Sequence, residues 1–160
     1  MTEAEWSTCR DPDAMLDFAS YGTDRHLLGV FGCACCRRVW QLLDDERSRR
    51  AVEVRKSFER GEATAADWQE ALWPALAARD EARAPFRFAV KVDEQSPQVA
   101  GAWAAGAAVN ASRGGYRVAA LFAAKAAACA SLNDWWAGFT AERAAQCDLL
   151  RDILGGQMWS

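Results

Sequence analysis

The run Leu27-Leu28-Gly29-Val30-Phe31-Gly32-Cys33-Ala34-Cys35-Cys36, closed by Arg37-Arg38 and followed by Val39-Trp40, constrains this chain more than any other feature. It is apolar on every side and built largely from small residues. A helix carrying it must be surrounded by other helices, with the cysteines at close-packing positions. Such a helix belongs at the centre of a bundle. With 160 residues the chain fits one domain, 1–160, and at that length roughly 70% of the unfolded surface is buried on folding. No metal or disulfide staple is needed to hold a core of that size.

The rest of the chain repeats helix signals and offers no convincing period-two strand. Thr2 with Glu5 forms a capping box, and Asp11-Pro12 supplies an N-cap and an N1 proline for a helix to about Ser20. Thr23 or Asp24 caps the cysteine helix, expected to run to about Leu43. Asp44-Asp45-Glu46 opens a helix that Gly61 stops, with Ala51, Val54 and Phe58 on one face and Glu46–Arg50 and Arg49–Glu53 as i,i+4 pairs. Thr64 and Asp67 cap a further helix that Pro74 should kink or break before it resumes to about Ala84. An irregular loop is expected near 85–95, where Phe86, Phe88, Val90 and Val92 alternate without a partner strand.

Ser96-Pro97 restarts helix to Ser112. A helix from about Tyr116 to Leu132 is expected to turn Val118, Leu121, Phe122, Lys125 and Cys129 towards one face. Both of these helices are alanine-rich, which permits close approach, with tryptophans filling the gaps. After an aromatic junction at Trp135, Trp136 and Phe139, Thr140 is expected to cap a last helix, Ala141 to Leu154. Gly155-Gly156 should stop it, leaving a short tail 156–160. The class that follows is all-α, a single compact bundle of about six to eight helices.

The amino terminus Met1-Thr2-Glu3-Ala4-Glu5-Trp6 lacks a basic and an apolar region, so no signal peptide is expected. His26, Arg37 and Lys125 interrupt the apolar runs short of a membrane span. These features point to a cytoplasmic protein whose 6 cysteines are reduced. A net charge of -3 disfavours general binding to nucleic acid or anionic membranes.

Four strings, MTEAEW, Cys9-Arg10-Asp11-Pro12, DRHLLGVFGCACCRRVWQLLDDERSRRAVEV and ERAAQCDLLRDILG, resemble a family of small helical proteins heavily duplicated in planctomycete bacteria. The likeness covers roughly residues 1 to 60 and 140 to 155, with CACCRRVW and DERSRRAVEV the specific parts. Family members carry Lys where this chain has His26, and a Gly-Asn-Pro-Phe type tail where it has Gly155-Gly156-Gln157-Met158. The resemblance implies a soluble bacterial helical protein and brings no activity with it.

Three chemical constellations compete with plain packing. Cys33 and Cys36 share a helix face, and with Cys129, Cys147 and His26 they supply a thiolate–imidazole set for zinc, although no second Cys-x-x-Cys knuckle exists. As small hydrophobes among Gly and Ala, the same cysteines need no metal. A thiol sensor requires a depressed thiol pKa, which a mid-helix position does not provide. Arg47, Arg50 and Lys56 belong to a basic stretch suited to phosphate contacts, but Asp44, Asp45, Glu46 and Glu53 interleave with it.

The eight tryptophans read chiefly as core, with Met158 and Trp159 either docked or available to a partner. One His, no nucleophile elbow and no phosphate loop leave enzyme templates nothing to hold. The reading is a non-enzymatic interaction or adaptor module whose partner is another protein or a second copy. Thiolate metal binding or thiol sensing, and nucleic-acid association, are the alternatives, and no cofactor is called for beyond zinc in the first of these.

Overall fold

A computed structural model describes residues 1–87, 96–131 and 134–158. Among them are eight α-helices and no strand: α1 (Glu3–Thr8), α2 (Pro12–Ala19), α3 (Arg25–Arg38), α4 (Glu46–Glu59), α5 (Ala65–Arg83), α6 (Pro97–Ser112), α7 (Tyr116–Ala130) and α8 (Trp135–Met158). Short 3₁₀ turns, Trp40–Leu42 and Ala84–Phe86, follow α3 and α5. Phe88, Val90, Val92, Leu132 and Trp159, on which some expectations fall, lie outside the described residues, as does the side chain of Met158.

Local chemistry starts most helices where the sequence places their caps. Thr2 and Glu5, and Thr64 and Asp67, close reciprocal capping boxes on α1 and α5. Asp11, Asp24, Asp45 and Ser96 each accept a backbone N–H at the start of α2, α3, α4 and α6. Gly61 takes a φ of 75° just beyond α4, a left-handed conformation that a residue without Cβ adopts at no steric cost.

Three helix boundaries differ from the sequence reading because burial overrides propensity. α3 stops at Arg38 rather than near Leu43, and the chain tightens into the 3₁₀ turn while burying Val39 and Leu43 on either side of it. α5 runs unbroken through Pro74. Glu70, Trp73 and Pro74 are exposed, so the hydrogen bond that proline removes is lost on the solvent side, while Ala71, Ala75 and Ala78 bury the opposite side. α8 starts at Trp135, before Thr140, and continues through Gly155-Gly156 to Met158, so the expected tail is largely helix.

α3 lies at the centre. Leu28, Phe31, Cys33, Cys35 and Cys36 join one core with Trp6 of α1, Met15 and Leu16 of α2, Val52 of α4, and Leu150 and Leu154 of α8. The helix packs on α4, α6, α7 and α8. A Cβ on Gly32 would stand 3.3 Å from Tyr116 Cα, so this glycine sets how closely α7 approaches.

α6 and α7 make the most extensive helix contact, and alanine builds it. Ala104, Ala107, Ala108 and Ala111 share the core with Ala119, Ala120, Ala123 and Ala126. The face of α7 that carries its larger residues is therefore not the buried one. Val118 and Leu121 are exposed, Phe122 and Lys125 are half-buried, and of that set only Cys129 is buried. Backbone proximity, open only to small residues, outweighs burial of larger side chains.

Candidate functional site

The cysteines of α3 are packing residues. Cys33, Cys35 and Cys36 are buried, and Cys33 Sγ–H donates to the Val52 carbonyl at 3.8 Å. Burial pushes the Cys33 thiol up to about 12 and raises those of Cys35 and Cys36 well above the ordinary value. Cys147 joins the same core from α8, its thiol pushed up to about 11, again chiefly by burial. Cys129 sits in a separate cluster with Val99 and Ala100. His26 lies at the start of α3 and is bonded to Glu59. Thus the five zinc candidates are not brought together. Among the described residues no three His, Cys, Asp or Glu side chains are grouped to hold a metal ion.

The basic stretch is largely neutralised, and by partners other than the expected i,i+4 ones. Arg47 donates to Asp45 (Nη2–Oδ2, 2.7 Å) and to Glu81 of α5 (Nη1–Oε1, 3.1 Å). Arg50 lies 3.6 Å from Glu70 of α5. Arg49 pairs with Glu46 three residues back, and Glu53 pairs with Arg37 of α3. Lys56 is half-buried on α4. Sequence spacing could not show this, because three of these pairs join different helices.

Two buried carboxylates were missed in the sequence. Glu59, whose side chain is 1% exposed, lies against the backbone of α3 where a Cβ on Gly29 would overlap it. It accepts from His26 Nδ1–H at 2.6 Å and from Arg55. Arg55 in turn stacks over the Phe58 and Trp68 rings, and Trp68 Nε1–H donates to the Ser112 carbonyl. Glu142 on α8 shares the single Arg38 Nε–H between its two oxygens, at 2.9 and 3.0 Å, and lies beside the fully buried Gln146. Gln146 Nε2–H donates to the Ala120 carbonyl at 2.8 Å. Burial raises the Glu142 carboxyl above the usual range, opposed by Arg38. Both clusters tie helices together.

The tryptophans divide sharply. Trp6 is buried and Trp40, Trp68, Trp103 and Trp135 are half-buried, whereas Trp73 and Trp136 are 72% and 71% exposed and so depart from the core reading. Trp73, on α5, packs against no other ring among the described residues. Trp136 belongs to an aromatic corner at the start of α8: Trp135 stacks on Phe139 at 5.2 Å, and Trp136 meets both rings edge-on at 4.9 and 6.2 Å. Trp135 roots that corner in the fold by packing against Val99, Ala100 and Cys129.

The chain matches no family model, no curated protein and no solved structure. No helix among the described residues is long and apolar enough to cross a membrane.

Proposed function

We propose that this protein is a non-enzymatic protein-interaction module whose contact surface is the aromatic corner of α8. The observation that carries the reading is the preorganised exposure of Trp136: its ring is held against Trp135 and Phe139 while most of it faces solvent. An indole fixed this way loses little conformational freedom on binding and presents a large apolar face, the property that makes tryptophan an interface anchor. Asp134, exposed beside the corner, places a charge at its rim. The pairing of the arginines around α4 with carboxylates supports a protein partner over nucleic acid, since a paired guanidinium has little charge left for phosphate.

The test compares the purified wild type with Trp136→Ser and Trp73→Ser, by sedimentation velocity for self-association and by affinity capture for other proteins. Trp73 is equally exposed but has no ring neighbour among the described residues. A complex retained by Trp73→Ser and lost by Trp136→Ser is expected. A wild type that forms no complex, or one indifferent to both substitutions, overturns the reading.

A further inference from the structure

The connection between α1 and α2 crosses one face of α8, and two arginines of α8 pin it there. Arg151 donates to the Trp6 carbonyl at 3.3 Å and to the Cys9 carbonyl, holding the end of α1. Arg143 pairs with Asp13 and lies 3.8 Å from Asp11, holding the start of α2. Residues four apart on a helix share a face, about 6 Å apart along the axis. Cys147, midway between Arg143 and Arg151, therefore faces the stretch from Cys9 to Asp11. Cys9 turns its sulfur along that stretch, Sγ–H donating to the Asp11 carbonyl at 3.4 Å.

The ionisation of Cys147 reports the same neighbours. Burial comes first among the causes that push its thiol up to about 11, and Cys9 comes second, ahead of the opposing Arg151 and Arg143 and of Asp11. Cys9 is thus close enough to Cys147 to outweigh either arginine. Both thiols are free, and both pack in the one core, Cys147 within it and Cys9 half-buried at its edge. Of the six cysteines only Cys9 is not buried, so a reagent in solution meets this one first.

We infer that Cys9 and Cys147 are a redox pair, a modification site at which a small aliphatic disulfide is reduced and the α1–α2 connection becomes bonded to α8. The Cys9 thiolate attacks one sulfur of the disulfide RSSR, forming Cys9–S–S–R and releasing RS⁻. The Cys147 thiolate then attacks Cys9 Sγ, forming Cys9–S–S–Cys147 and releasing the second RS⁻. The two thiol protons pass to these leaving groups, so two cysteines are oxidised as one RSSR is reduced to two RSH. Cys9 lies between two helices, so backbone adjustment towards the Cβ separation of a disulfide, about 3.5–4.5 Å, falls on the connection. The bond joins residues near the two ends of the chain and constrains the unfolded state through a long loop. The inference is independent of the aromatic corner, which lies at the start of α8.

The test treats the folded protein with 2-hydroxyethyl disulfide, alkylates the remaining thiols after an acid quench, and maps the peptides without reduction. A Cys9–Cys147 linked peptide from monomeric protein is expected, reversed by dithiothreitol, with the urea midpoint of the oxidised form raised. Cys147→Ala should stop at the mixed disulfide on Cys9, and Cys9→Ala should form neither species. From the wild-type mixed disulfide, closure should accelerate about tenfold per pH unit at neutral to mildly alkaline pH, because the attacking Cys147 thiol is pushed up to about 11. If Cys147→Ala does not fold, Cys9→Ala at its half-buried position serves alone, and it must abolish the link. No reaction at Cys9, a Cys9 mixed disulfide that accumulates without closing, a link from Cys9 to any other cysteine, or linkage only between molecules or only in urea overturns the inference.

Discussion

The contact of α3 with α4 and the contact of α6 with α7 both depend on residues with almost no side chain, and they use the vacated space in opposite ways. Between α6 and α7 the alanines let two backbones approach, and alanine fills the gap from both sides. Between α3 and α4, Gly29 makes room for a neighbour's charged group, and the Glu59 carboxylate occupies it together with His26 and Arg55. The first contact is held by dispersion and hydrophobic burial, tolerant of charge screening and intolerant of added volume. The second is held by a buried carboxylate whose partners must stay in place.

The sharpest way to break this contrast is Glu59→Ala. It leaves Arg55, 11% exposed, without its counter-charge, and should destabilise the protein by about 3–5 kcal/mol in urea unfolding. A cost below 1 kcal/mol would reduce the cluster to a surface pair. Ala123→Leu in the alanine contact should cost about 1–3 kcal/mol by overpacking, whereas Leu121→Ala on the exposed side of the same helix should stay within about 0.5 kcal/mol. Equal effects would mean that α7 buries its larger residues after all.

The buried thiols add a test in pH. Their folded pKa values lie above that of a free thiol, so the folded state holds these protons more tightly. The corresponding stability is complete below about pH 8.5 and is lost as pH rises towards about 11 for Cys147 and about 12 for Cys33. Unfolding free energy should therefore fall through that alkaline range. At neutral pH a bulky thiol reagent should reach the half-buried Cys9 well before Cys33, Cys35 or Cys36. The smallest effect belongs to Glu142→Gln. Because burial raises the native carboxyl, protonation favours the folded wild type, and its stability relative to the variant should increase as pH falls from 7 towards 4. A difference independent of pH would mean that Arg38 fully offsets the burial of Glu142.

What the sequence made legible was whatever a few consecutive residues decide. Capping residues located the starts of α1 to α6, and the all-round apolar run placed α3 at the centre. The ends of α3 and α8 and the passage of α5 through Pro74 were not legible, because each depends on what the opposite helix face buries. The same limit applies to the candidate sites. Arg47 looks like a phosphate ligand until Glu81, on another helix, is brought beside it, and Gly29 looks like a packing glycine until Glu59 arrives from 30 residues on. The sequence groups Trp136 with Trp135 and Phe139, but that its ring faces solvent depends on how the start of α8 packs.

The unbroken course of α8 gives one helix two different lifetimes. At about 1.5 Å per residue, its 24 residues extend some 36 Å. Along that length the side chains of Glu142, Gln146, Leu150 and Leu154 are buried, so amide exchange there requires the whole bundle to open. At Gly155 and Gly156 a Cβ would meet nothing within 4 Å, and each glycine costs about 1 kcal/mol of helix propensity relative to alanine. The hydrogen bonds of that last turn open without disturbing the core. Protection against exchange should therefore drop abruptly after Leu154, along a helix that is geometrically continuous.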